Sequence, residues 1–153
     1  MLTNCKAIVS VIGGHKCSKE VEEIAINLGK NIGKSGYILV CGGLSGVMEA
    51  AAKGAKQTGA TTVGILPGND KCVANPYIDV AIATGLGMVR NTIVVSAADA
   101  VVALAGEKGT LSEIAFALTL EKPVIDLGNW GLPGMIKASS PEEAIQIIEG
   151  VIK

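Results

Sequence analysis

Apolar residues along the chain fall into short runs that glycine interrupts, and between the runs into stripes spaced three and four residues apart. The runs Lys6 to Ile12, Tyr37 to Val40, Thr61 to Leu66, Asp79 to Ala83, Ala100 to Leu104 and Val124 to Leu127 read as strands, the last being the final one. Ser18 caps a helix whose Val21, Ile24, Ala25, Leu28 and Ile32 share one face, up to the turn at Gly33-Lys34-Ser35-Gly36. Met48, Ala51, Ala52 and Ala55 pattern a second helix that ends near Gly59. Arg90 opens a third, and Glu113 lies one turn into a fourth, where Thr110 is placed to cap the amides of Leu111 to Glu113. Ser140-Pro141-Glu142-Glu143 starts the terminal helix with cap, proline and acidic first turn in order. Asn69 to Ile78 and Gly128 to Gly134 read as irregular. Strands alternating with helices predict an α/β fold, a doubly wound, mainly parallel sheet with helices on both faces.

Composition narrows what such a sheet can serve. A chain of 153 residues is expected to form one domain over residues 1–153. Net charge of -1, with one Trp, two Tyr and one Phe, excludes a basic footprint or stacking platform, so no nucleic-acid partner is expected. No apolar run is long enough to span a bilayer, and no membrane partner is expected. The N-terminal MLTNCKAIVSVIGG is short, is broken by Gly13-Gly14 and lacks a cleavage site, so it reads as a strand rather than a leader. The expected location is cytoplasmic. Cys5, Cys17, Cys41 and Cys72 form no Cys-x-x-Cys pair, so free thiols are expected, and no metal site is signalled.

Candidate chemistry gathers where strands feed helices. Gly13 and Gly14 follow the first strand; Gly42, Gly43, Ser45 and Gly46 follow the second; Gly106, Lys108, Gly109 and Thr110 follow the fifth. Small residues at such turns let backbone amides approach an anion. Arg90, Asn91 and Glu113 flank the third loop and are expected to converge at the carboxyl edge of the sheet, where open α/β folds bind ligands. A dinucleotide is disfavoured, because Gly13-Gly14 is not G-x-G-x-x-G and no Asp or Glu ends the second strand. One phosphorylated ligand fits better, its phosphate held by the Gly42 and Gly106 loops. His15 and Cys41 lie beside these loops, Glu49 is a pocket or dipole residue, Asp99 caps or turns the chain, and Trp130 covers the cleft or packs on the surface.

The stretch Ala105-Gly106-Glu107-Lys108-Gly109-Thr110, with Glu113 and the preceding Arg90, resembles the signature Pro-Gly-Gly-x-Gly-Thr-x-x-Glu. That signature belongs to the Rossmann-like family once described as lysine decarboxylases. One branch is the Lonely Guy phosphoribohydrolases, which release the base from cytokinin nucleoside monophosphates; the other is the molybdenum cofactor carrier proteins. The phrases GGLSGVMEAAAKGA, Asn75-Pro76-Tyr77, ATGLGMVRN and GTLSEIAFAL are closer to the second branch.

The resemblance implies a Rossmann-like binding or carrier protein for a nucleotide or molybdopterin-type ligand, with no cofactor required, assembled as a homodimer or homotetramer. Its alternative is a nucleoside 5'-monophosphate phosphoribohydrolase in which Arg90 and Glu113 are catalytic, not a lysine decarboxylase. A further alternative is a ligand-free oligomeric scaffold, built on the Ala-rich helices Glu49 to Ala60 and Ile114 to Leu120. Three departures bear on the hydrolase: Ala105 replaces the proline, Glu107 replaces a glycine, and Asn91 stands where the hydrolases carry a second basic residue.

Overall fold

The computed structural model describes residues 5–152; the part of the N-terminal reading that rests on residues 1–4 lies outside them. Seven strands form one sheet, β1 (Ile8–Ile12), β2 (Ile38–Cys41), β3 (Thr62–Leu66), β4 (Val80–Ala83), β5 (Ala100–Ala103), β6 (Val124–Asp126) and β7 (Ile136–Lys137). Every pairing is parallel, in the order β4-β3-β2-β1-β5-β6-β7. The helices are α1 (Lys19–Lys34), α2 (Val47–Gln57), α3 (Arg90–Ser96), α4 (Lys108–Thr119) and α5 (Pro141–Val151).

The strand order makes β1 the point where the winding reverses. Its backbone pairs with β2 on one side, Val9 opposite Leu39, and with β5 on the other, Val9 opposite Ala100. Asp99 fastens that second seam: its carboxylate accepts from Ile8 N at 2.8 Å while its own amide donates to Ile8 O at 2.8 Å. Loops after β1 and β5 leave in opposite directions, so a crevice opens at their carboxyl ends.

Helices α1, α2 and α5 cover one face, over a core that includes Val9, Val11, Leu39, Leu104 and Ile148. The α1/α2 contact is close because both helices present small residues. A side chain at Gly29 would strike the Ala51 carbonyl, and one at Gly54 would strike the Ile26 carbonyl. The alanines of α2 are therefore used inside the fold, Ala51, Ala52 and Ala55 being buried against α1 and the sheet. This overturns their assignment to an intersubunit surface. Helices α3 and α4 cover the other face, with Ile12, Val94, Val101, Ile114 and Val124 in the core.

Two local expectations need correction. Val124–Asp126 is not the final strand: Ile136-Lys137 adds a seventh at the edge, too short and too exposed to leave a periodic signal. Thr110 does not cap α4, which begins at Lys108 with Glu107 at the cap position and no side-chain cap hydrogen bond. The segment between β3 and β4 also contains a 3-10 turn, Lys71–Val73, capped by Asp70. By contrast, Ser18 and Ser140 cap α1 and α5 as read, accepting from Val21 N and Glu143 N. Among the described residues, no helix is long and apolar enough to cross a membrane.

Candidate functional site

A cavity of about 350 Å³ opens at the crevice between β1 and β5. Its wall is built from the end of β1 with Gly13 and Gly14, from Gly42 after β2, from Arg90 and Asn91 on α3, and from Lys108, Gly109, Thr110 and Glu113 on α4. Nine of the residues picked out from the sequence thus meet in one place.

Gly43, Ser45, Gly46 and Gly106 do not line it, and their contacts show why. A side chain at Gly46 would drive into the Gly14 and His15 carbonyls, and Gly46 has φ +68. A side chain at Gly106 would strike Thr110, and Gly43 packs on Leu66 and Gly64. Ser45 Oγ donates to His15 O at 2.8 Å. These four residues let three loops interlock beneath the cavity, so the protein itself is the close neighbour that their small size admits. Backbone bonds complete the lock: Gly14 N donates to Ala105 O at 2.9 Å, and Val47 N donates to Gly14 O at 3.0 Å. Asn75 braces the β2 loop from outside, donating to Gly43 O at 2.9 Å and to Leu44 O at 2.8 Å.

The first turn of α4 is different. Leu111 N bonds back to Glu107 O at 3.0 Å, but among the described residues no acceptor takes the amides of Lys108, Gly109 or Thr110. Uncapped first-turn amides carry the positive end of the helix dipole.

Arg90 is 7% exposed, and its Nε donates to Ile65 O at 2.8 Å. That bond fixes the guanidinium against Gly42, where a side chain would lie 2.9 Å from Nη2. Its remaining nitrogens have no protein acceptor among the described residues, and burial lowers its pKa despite the nearby Glu113. Glu113 is 8% exposed and receives no hydrogen bond from the described residues; burial pushes its carboxyl up to about 8, Arg90 opposing that rise. The two face one cavity without closing an ion pair. Asn91 is 5% exposed, and its buried Oδ1 has no partner among the described residues.

Exposed charge rings the mouth. Lys16, Lys108 and Glu107 all line it, and Glu107 is exposed at the rim. His15 lines the mouth too, exposed, while its carbonyl serves Ser45. Lys16, Met48 and Met88 were missed from the sequence; Lys16 adjoins the Gly13-Gly14-His15 turn, and Met88 lies two residues before Arg90. Glu49 lies outside the lining. Trp130 packs on the α3/α4 side of the sheet and donates its indole N–H to Leu104 O at 2.9 Å. Cys41 is buried, its thiol pushed up to about 12 by burial, and Cys17 and Cys72 are also free.

A parallel sheet wound on both faces, with its cavity at the reversal of strand order, defines a Rossmann-like protein. The chain belongs to the SLOG cluster4 family, whose profile matches residues 6–151.

An uncharacterised protein of Archaeoglobus fulgidus is 42% identical over 144 residues, 90% of this chain and 91% of that one. A cytokinin riboside 5'-monophosphate phosphoribohydrolase of Mycobacterium tuberculosis is 31% identical over 121 residues, 73% of this chain and 65% of its own length. Among solved structures, the molybdenum cofactor binding protein of Rippkaea orientalis superposes with a TM-score of 0.94 at 38% identity, covering 99% of this chain and 100% of that one. The Moco carrier protein of Chlamydomonas reinhardtii gives 0.87 at 34% identity, covering 96% and 98%.

Proposed function

We propose that the protein binds a phosphorylated small molecule in this cavity and acts as its carrier, the ligand being of nucleotide or pterin size. The observation that carries the reading is the uncapped start of α4, Lys108 to Thr110, beside an Arg90 whose outer nitrogens are unused. Together they supply amide donors and a fixed cation for one phosphate. Lys16 and Lys108 at the mouth outweigh Glu107 and favour an anion further. A volume of about 350 Å³ falls at the small end of ligand cavities and suits one mononucleotide-sized molecule rather than a dinucleotide. The Rippkaea and Chlamydomonas proteins, which cover 99% and 96% of the chain, support a molybdenum cofactor-type ligand, a pterin that carries a phosphate.

In this reading the phosphate lies on the Lys108–Thr110 amides and Arg90, and the rest of the ligand extends over Gly13, Gly14 and Gly42. Asn91 and Glu113 are the remaining polar groups that touch it. The test is a thermal-shift panel of nucleoside monophosphates and phosphorylated pterins, with Arg90→Ala alongside. A ligand at a hundred times its dissociation constant adds about 2.7 kcal/mol of stability. Absence of any shift across the panel sinks the reading.

The second reading is base release from nucleoside 5'-monophosphates, favoured by the Mycobacterium tuberculosis relative and by Arg90 and Glu113 facing one cavity. Such cleavage passes through an oxocarbenium-like state. With its carboxyl up at about 8, Glu113 is neutral at pH 7 and is equipped to protonate a departing base rather than to stabilise the cation. Chromatography of ribonucleoside 5'-monophosphates incubated with wild type and Glu113→Gln decides it. Release lost in the variant makes the protein a hydrolase; no release from wild type leaves the carrier.

A further inference from the structure

We infer that anion binding in this cavity is coupled to a proton on Glu113, so that the ligand is held by the neutral carboxyl and released as that carboxyl ionises. The inference rests on the proposed anion site and adds its regulation.

The geometry that carries it is the contrast between two buried neighbours. Arg90 is anchored by Ile65 O and cannot swing toward Glu113 without breaking that bond. Glu113 has neither an ion pair nor a hydrogen bond from the described residues to hold its charge, yet it is more than nine-tenths buried and lines the cavity. An ionised carboxylate there faces an arriving anion across a low-dielectric gap, whereas a neutral carboxyl offers an O–H to it.

The charged and titratable groups around Glu113 are few. Arg90 on α3 acts on it directly, and Glu113 in turn raises the pKa of the Cys41 thiol at the end of β2. Glu107 and Lys108 at the start of its own helix, and His15 and Lys16 after β1, line the same cavity nearer solvent. Cys41, held up at about 12, stays neutral throughout the range in which Glu113 titrates, so Glu113 is the switch. In the ligand-free protein it ionises near pH 8; an anion beside it moves that ionisation higher. Binding above pH 8 therefore takes up a proton, and affinity falls as pH rises.

The experiment is calorimetric titration of the full chain with AMP, and with sulfate as a second probe, from about pH 7 to about pH 9.5. Over this window AMP stays a dianion. The expected result is a plateau up to about pH 8 and then a loss of affinity approaching tenfold per pH unit, with proton uptake, read in buffers of different ionisation enthalpy, that rises with pH toward one. Glu113→Gln, a neutral isostere, should show no pH dependence and no proton uptake over the same window. Saturable binding that is flat with pH, that strengthens with pH, or whose pH dependence survives in Glu113→Gln overturns the coupling and leaves the anion site standing. No saturable binding of either probe at pH 7 overturns the anion site, and the coupling with it.

Discussion

The starts of α2 and α4 lie on the same edge of the sheet, each reached from a strand through a glycine turn, and neither carries a side-chain cap. At α2 the first amide bonds to Gly14 O, Gly46 packs on the neighbouring backbone, and Asn75 braces the turn from outside. At α4 the first-turn amides have no protein acceptor among the described residues, and a methyl group added at Gly109 would meet Met88 and Asn91 at 3.4 and 3.9 Å, without a clash. Two turns of similar composition have thus been put to different uses. One joins loops; the other is left open beside Arg90, Asn91 and Glu113, which are short of hydrogen-bond partners among the described residues.

The sharpest way to break this contrast is Gly46→Ala. The new methyl meets two backbone carbonyls in a left-handed conformation, so stability should fall by roughly 3–5 kcal/mol in urea unfolding. If the loss is under about 1 kcal/mol, the interlocked turn is not tight. Next comes Arg90→Ala, expected to abolish the phosphate-dependent thermal shift, a loss of about 3 kcal/mol or more in binding. It should also weaken the fold by about 1–3 kcal/mol through the orphaned Ile65 carbonyl.

Glu113→Gln tests the open turn through pH. Because folding raises this carboxyl's pKa from 4.5 to about 8, the folded protein holds more protons than the unfolded chain between those values. Stability contributed by the neutral carboxyl is complete below the unfolded value and is lost as pH climbs toward 8. The variant should therefore gain on wild type by a few kcal/mol at pH 9 and by little at pH 4, read from unfolding midpoints. Asn91→Leu removes a buried carbonyl oxygen without a partner among the described residues, so the ligand-free protein should gain about 1 kcal/mol while ligand affinity drops. A purely structural Asn91 would move both in the same direction. The smallest effect is expected for Gly109→Ala, about 0.5–1 kcal/mol more stable because alanine suits a helix better, with the phosphate shift weakened by the methyl group.

Much of this was legible because apolar periodicity and turn residues report on the backbone directly. The strands from β1 to β6 lie where the β-branched runs lie, and Ser18 and Ser140 cap as their spacing implied. Arg90 and Glu113 were legible as a pair because strand, turn and helix between them leave little freedom in where their ends point. Three features escaped for identifiable reasons. Glycine looks the same in sequence whether the close neighbour is a ligand or the protein's own carbonyl, so Gly46 and Gly106 could not be told from Gly109. Glu107-Lys108 has the polarity of a turn, which hid the earlier start of α4. Two exposed residues cannot display a period, which hid β7.

The seam between β1 and β5 also sets an order of assembly. β1, α1, β2 and α2 follow one another along the chain, whereas the Ile8–Asp99 bond joins residues 91 positions apart. Short loops close at lower entropic cost than long ones, so the β1-to-α2 block should gain protection first and β5 should dock against it later. Pulse-labelled hydrogen exchange should find the amides of β2 protected before those of β5, and the reverse order would refute the scheme. The cavity straddles that seam, so its two walls meet only once β5 has docked.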